Sequence, residues 1–209
     1  MLLNLGKPIL GAILAGGASR RFGSPKALAV VNGRRVVHRV RDVLAGAVDA
    51  MVLIANDAKL FAGIGIPVRG DRLPGMGPLA GVEAALRWAA EHEADGVLCV
   101  SCDMPFLSAP LLREIARRGD GGRAVVPESG RGIEPLCAWY PVAGVTEIER
   151  LLASDDRSMR ALLESTETVR MPLDEVRRFG DPEILFFNVN TRGDLGRAQR
   201  IARRIDATS

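Results

Sequence analysis

Short apolar runs alternate with amphipathic stretches along most of the chain, and their spacing predicts its elements. Residues 9–14, 50–55, 66–68 and 96–101 are brief, apolar or β-branched, and bounded by Gly, Asp or Pro, as strands buried on both faces are. Between them, 35–44, 79–90 and 109–117 carry apolar positions at helical spacing. This rhythm predicts βαβ crossovers and hence an α/β, three-layer architecture, with a mostly parallel central sheet and helices on both faces. The second half is less regular: 124–127 and 135–140 read as strands, 145–152 and 158–163 as helices, and 184–188 as a late strand. A last helix is expected after Thr191, whose hydroxyl can cap it, with Asp194 three residues on near the positive helix end. No linker, coiled-coil repeat or duplication interrupts the pattern, so residues 1–209 are expected to form a single domain.

Open parallel sheets bind their ligands outside the carboxyl ends of the strands. Polar residues collect at those ends here: Gly16-Gly17 after the first strand, Asn56-Asp57 after the second, Asp71 after the third and Asp103 after the fourth. Four loops are therefore expected to converge on one rim.

Composition narrows the partners. The net charge of +3 favours anions without naming one, while aromatic residues are only 4% of the chain and are not interleaved with basic ones, so no nucleic acid is expected. The basic run 197–204 reads as the solvated face of a helix. The apolar run 9–14 is too short to cross a bilayer, so no membrane contact is expected, and three cysteines without a secretory pattern point to reduced thiols in the cytoplasm. Cys99 and Cys102 spell C-x-x-C, but on an extended strand residues three apart face opposite ways, so both read as core thiols, as does Cys137. His38 and His92 fall in helical patterns with no nucleophile beside them and read as surface residues.

The chemistry is concentrated in a few stretches. In residues 14–26, LAGGASRRFGSPK, Gly16 and Gly17 bare the backbone for close approach to phosphate oxygens, and Arg20, Arg21 and Lys26 can neutralise their charge. A Walker loop is excluded because Ser24-Pro25-Lys26 follows Gly23, and no G-x-G-x-x-G follows the first strand. Pro105 ends the fourth strand so that Asp103 is presented at its tip, where, with Asp71, it can hold a hard cation such as Mg²⁺ on substrate phosphates. Residues 75–81, GMGPLAG, open a helix whose N-terminus suits an anion, and Asn188 and Asn190 share one side of an extended segment.

Taken together and in order, L-A-G-G-x-x-R-R-F-G-S-P-K, G-P-L-A-G, C-D-M-P, Glu134-Pro135-Leu136 and F-N-V-N-T-x-x-D-L resemble the molybdenum cofactor guanylyltransferases. The resemblance implies a single Rossmann-like nucleotidyltransferase domain that uses GTP and Mg²⁺ and transfers GMP to the molybdopterin phosphate, releasing pyrophosphate. GTP and molybdopterin are then the substrates, with a transient contact to molybdoenzymes or their chaperones. Matched motif by motif, it implies GTP contacts at Leu14, Ala15, Gly16, Gly17, Lys26, Asn56, Asp71 and Asp103. It makes Asp103 the magnesium ligand, Lys26 and Arg21 catalytic with it, and Asn188 with Asn190 the pterin-side pair. One departure bears on the base: Pro25 stands where guanylyltransferases usually carry Asp, and G-S-P-K looks like the related cytidylyltransferases. Gly17 and N-V-N-T resemble the guanylyl branch, and the match implies GTP.

Overall fold

The computed structural model describes residues 7–16 and 28–207, and its first apolar run forms strand β1 (Leu10–Leu14). A small hairpin follows, β2 (Val30–Val31) and β3 (Arg34–Arg35), and leads into helix α1 (Val36–Ala45). Then come β4 (Ala50–Ile54), β5 (Val68–Arg69), α2 (Pro78–Glu91), β6 (Gly96–Ser101) and α3 (Ala109–Arg118). The second half adds β7 (Ala124–Ser129), β8 (Gly132–Ile133), β9 (Cys137–Pro141), α4 (Val145–Leu152), α5 (Met159–Ser165) and β10 (Thr168–Met171). It closes with α6 (Leu173–Val176), α7 (Pro182–Leu185) and α8 (Arg192–Asp206).

The central sheet runs β10-β7-β9-β6-β1-β4-β5, with β8 paired to β7 off this path. β1 lies parallel between β4 and β6, and β10 lies parallel to β7, so along the path only β9 is reversed. Alternation along each strand divides the interior into two layers. Leu10, Ala12, Leu14, Val52, Ile54, Val97 and Cys99 face one side, against Leu79, Val82 and Leu86 of α2, Leu151 of α4 and Leu162 of α5. Ile13, Leu53, Leu98 and Val100 face the other, against Val40 and Leu44 of α1, Leu112 and Ile115 of α3, and Ala198 of α8. All of these are buried, and each fully buried Leu or Ile contributes about 1.5–3 kcal/mol over an exposed one. The expected sandwich of helix, sheet and helix is thus the fold.

Three departures from the sequence pattern have local causes. Residues 184–188 do not form a strand: Asp181 accepts a hydrogen bond from the Glu183 amide, Pro182 occupies the first helical turn, and the apolar run begins as α7. Its remainder is irregular backbone that buries Phe186 and leads to buried Val189. The β2–β3 hairpin turns on Asn32 and Gly33, both at positive φ (47° and 74°), a turn that Asn-Gly forms readily and that apolar periodicity does not announce. β10 carries only Met171 fully into the core and so lacks the apolar signature of the central strands. Thr191 caps α8 as expected, and Asp194 completes a reciprocal capping box by accepting from the Thr191 amide at 2.9 Å.

Candidate active site

Because β1, β4, β5, β6 and β7 point the same way, their carboxyl ends share one edge of the sheet, and reversed β9 begins at that edge. Backbone bonds carry the ladder a residue past the strands and fix the loops there. Ala15 N donates to Ile54 O (2.9 Å), Cys102 N to Leu14 O (3.1 Å), Ala55 N to Arg69 O (2.7 Å) and Ser101 N to Leu136 O (2.7 Å). The Leu14 carbonyl and the Ala15 amide are thereby committed to the sheet. Gly16 is exposed, and a methyl group built on it meets nothing within 4 Å, leaving its backbone open to a ligand. The Leu14 side chain is buried, and a methyl at Gly81 would lie 3.5 Å from it, so the first turn of α2 sits beside the end of β1. Gly17, Arg20, Arg21 and Lys26 lie outside the described residues.

On the β4–β5 side, Asn56 and Asp71 hold each other. Asn56 Nδ2 donates to Asp71 Oδ2 (2.8 Å), and the Asp71 amide donates to Asn56 Oδ1 (2.9 Å), while Asp71 Oδ1 accepts from the Leu73 amide (3.1 Å). The pairing closes two neighbouring loops into one rigid lip. Gly70 is part of its construction, since a Cβ there would stand 3.1 Å from Asn56 Oδ1.

Asp103 lies two residues beyond β6, half-buried, with its Oδ1 accepting from the Ser101 hydroxyl at 2.6 Å. The chain turns at Cys102 and Asp103, which brings the carboxylate back within reach of the Ser101 hydroxyl two residues before it; sequence reasoning missed this partner. The Asp103 carbonyl accepts from the Val189 amide at 3.0 Å, and this brings the Asn188-Val189-Asn190 segment to the same edge. Val189 is fully buried, which turns its two asparagine neighbours outward; Asn188 Nδ2 donates to the Phe186 carbonyl at 3.1 Å. Four expected loops therefore meet on one rim, with the Asn56–Asp71 lip on the β4–β5 side and the asparagine segment against Asp103.

The donor set at this edge bears on which metal it suits. Among the described residues no group of three or more His, Cys, Asp or Glu gathers at one point. A zinc cage needs such a group, whereas Mg²⁺ is held by one or two carboxylates with water and substrate phosphates completing its shell. Asp103 fits the second kind: one oxygen is steadied by Ser101, and the half-buried carboxylate stands at the strand tip.

Cys99 lies in one core layer and Cys102 and Cys137 in the other, none of them in a disulfide, and burial pushes the Cys99 and Cys137 thiols far above the ordinary range. Burial, then Arg41, Arg35 and Arg34, pull the His38 pKa down. A His92 ring nitrogen lies 2.8 Å from the Trp88 carbonyl, closing the end of α2.

The MobA-like NTP transferase domain matches residues 11–170, from β1 into β10. The chain belongs to the MobA-like NTP transferases. As a MobA-like chain it is 34% identical to a molybdenum cofactor guanylyltransferase of Cereibacter sphaeroides, over 94% of this chain and 98% of that one. Its identity to the molybdenum cofactor guanylyltransferase of Rhodobacter capsulatus is 37%, over 91% and 95% of the two chains. The crystal structure of molybdopterin-guanine dinucleotide biosynthesis protein A from Archaeoglobus fulgidus superposes with a TM-score of 0.80 at 28% identity, covering 94% of this chain and all of that one. The MobA-like match contains Asn56, Asp71 and Asp103, while Asn188, Asn190 and α8 lie beyond it.

Proposed function

We propose that this chain transfers GMP from GTP to the phosphate of Mo-molybdopterin, forming molybdopterin guanine dinucleotide and pyrophosphate. The observation that carries the reading is its identity, over more than nine-tenths of its length, to molybdenum cofactor guanylyltransferases. The geometry supplies a mechanism. An oxygen of the acceptor phosphate attacks the α-phosphorus of GTP, a new P–O bond forms, and the bond to the bridging oxygen breaks to release pyrophosphate. The acceptor phosphate carries its second negative charge above a pKa of ~6, so no protein nucleophile is needed. Catalysis then consists of alignment and charge neutralisation.

In this reading the Asn56–Asp71 lip and the loop that begins at Leu14 and runs through Ala15, Gly16 and Gly17 hold the nucleotide, and Asn188 with Asn190 faces the acceptor. Mg²⁺ supplies charge neutralisation on the triphosphate when bound, and Asp103 would hold it. Lys26 and Arg21 are assigned a share of that neutralisation from the sequence motif. No helix among the described residues is long and apolar enough to cross a membrane. Calorimetric titration with GTP, CTP, ATP and UTP in the presence of Mg²⁺ tests base choice. GTP is expected to bind at least about tenfold tighter than the others, a difference of about 1.4 kcal/mol; a preference for CTP would move the chain to the cytidylyl branch to which Pro25 points.

A further inference from the structure

The segment that carries Asn188 and Asn190 belongs to no strand, and one backbone bond, Val189 N to Asp103 O, ties it to the Asp103 loop. Something else must set its position. The Phe186 carbonyl, just upstream, is fully used: Asn188 Nδ2 donates to it at 3.1 Å and Arg131 Nη2 at 2.8 Å. Arg131 comes from the turn between β7 and β8, and its guanidinium also meets Glu134 Oε1 at 3.3 Å. The Glu134 side chain is only 11% exposed and begins the stretch that leads into β9, whose Leu136 carbonyl accepts from the Ser101 amide.

The turn itself is firmly set. Ser129 Oγ accepts from the Arg131 amide at 3.1 Å and donates to the Gly132 carbonyl at 3.2 Å. Gly130 lies so close to α7 that a Cβ on it would come within 2.7 Å of Glu183 Oε1. The hairpin tip thus reaches the carbonyl at the end of α7 through Arg131, which Glu134, before β9, braces from the other side.

We propose that Arg131, held by Glu134, is a positioning residue for the acceptor side of the transfer reaction. By anchoring the Phe186 carbonyl it fixes the amide of Asn188, whose nitrogen is spent on that same carbonyl and whose oxygen is left to face the acceptor. The nucleotide lip at Asn56 and Asp71 is built on β4 and β5, across β9, β6 and β1 from the hairpin, so the anchor acts chiefly on the acceptor side. This inference rests on the guanylyl-transfer reading.

The test is steady-state kinetics with GTP and molybdopterin on the wild-type protein, Arg131→Ala and Arg131→Lys, together with GTP binding and amide hydrogen exchange at Val189. Loss of a charge-assisted bond at a half-exposed side chain is expected to raise the acceptor KM of Arg131→Ala about fivefold and speed Val189 exchange. GTP affinity stays within about twofold. Lysine, which keeps one charged donor, is expected to recover part of the acceptor KM. An unchanged acceptor KM in Arg131→Ala, or an equal loss for both substrates, overturns the positioning role while the function stands. A wild-type protein that binds GTP but releases no pyrophosphate with molybdopterin overturns the function, and this inference with it.

Discussion

Asp103 and its neighbours are single residues whose roles follow from what each atom already holds. Ser101 occupies one carboxylate oxygen of Asp103, and its own amide is taken by Leu136, so the carboxylate is oriented by a side chain that is itself fixed. Asn56 spends both ends of its amide on Asp71. Replacing Asn56 by Ala removes both bonds and unlatches the Asp71 loop; GTP binding is expected to weaken about five- to tenfold, given ~1 kcal/mol for such partly exposed bonds. Calorimetry on the variant checks this, and wild-type affinity would remove the lip from the nucleotide site. Asp103, Asn56 and Asp71 were legible in the sequence because strand ends announce themselves through Gly, Asp and Pro. Ser101 was overlooked although it lies only two residues from Asp103, whereas the role of Arg131 was not legible, because its bond to the Phe186 carbonyl joins segments far apart in the chain.

Among the elements, α3 and α6 are linked by charge. Glu114 of α3 pairs with Arg117 and Arg118 of its own last turn, and Arg118 reaches on to Glu175 of α6 at 2.5 Å. Hydrogen bonds first from Arg117 and then from Arg118 hold the Glu114 carboxyl down at about 2, against an ordinary 4.5. A carboxyl lowered in the folded state stabilises the fold fully above its unfolded pKa and loses that contribution as pH falls toward the folded value. The effect therefore disappears between pH 4.5 and about 2. Glu114→Gln is expected to lie below wild type in melting temperature at neutral pH and to converge on it across that window; a constant gap down to pH 2 would contradict the pairing. Element type was readable wherever a face is buried, as in the central strands and α2, α3 and α4. It failed at 184–188, where Asp181 and Pro182 start a helix within an apolar run that resembles a strand.

At the scale of the whole molecule, the parallel order of β6, β1, β4 and β5 does the organising. It delivers loops from residues 14, 56, 71 and 103 to one edge, and the reversal of β9 adds 134–136 to the same edge. Sequence rhythm foretold the parallel sheet with helices on both faces. It gave no sign that β9 is reversed, since antiparallel and parallel strands buried on both faces look alike in apolar pattern. The segment at 188–190 is tied to the Asp103 carbonyl through Val189, and this brings to one edge parts of the chain 174 residues apart, counted from Leu14 to Asn188.

The central claim is that this edge, anchored at Asp103, performs guanylyl transfer. Its most direct test is pyrophosphate release with GTP, Mg²⁺ and molybdopterin, comparing the wild-type protein with Asp103→Asn, which keeps the shape and the Ser101 bond but removes the charge. The account predicts one pyrophosphate per molybdopterin guanine dinucleotide from the wild type and a loss of turnover of at least about 10²-fold in the variant, while it still binds GTP measurably. Wild-type turnover by Asp103→Asn would contradict it.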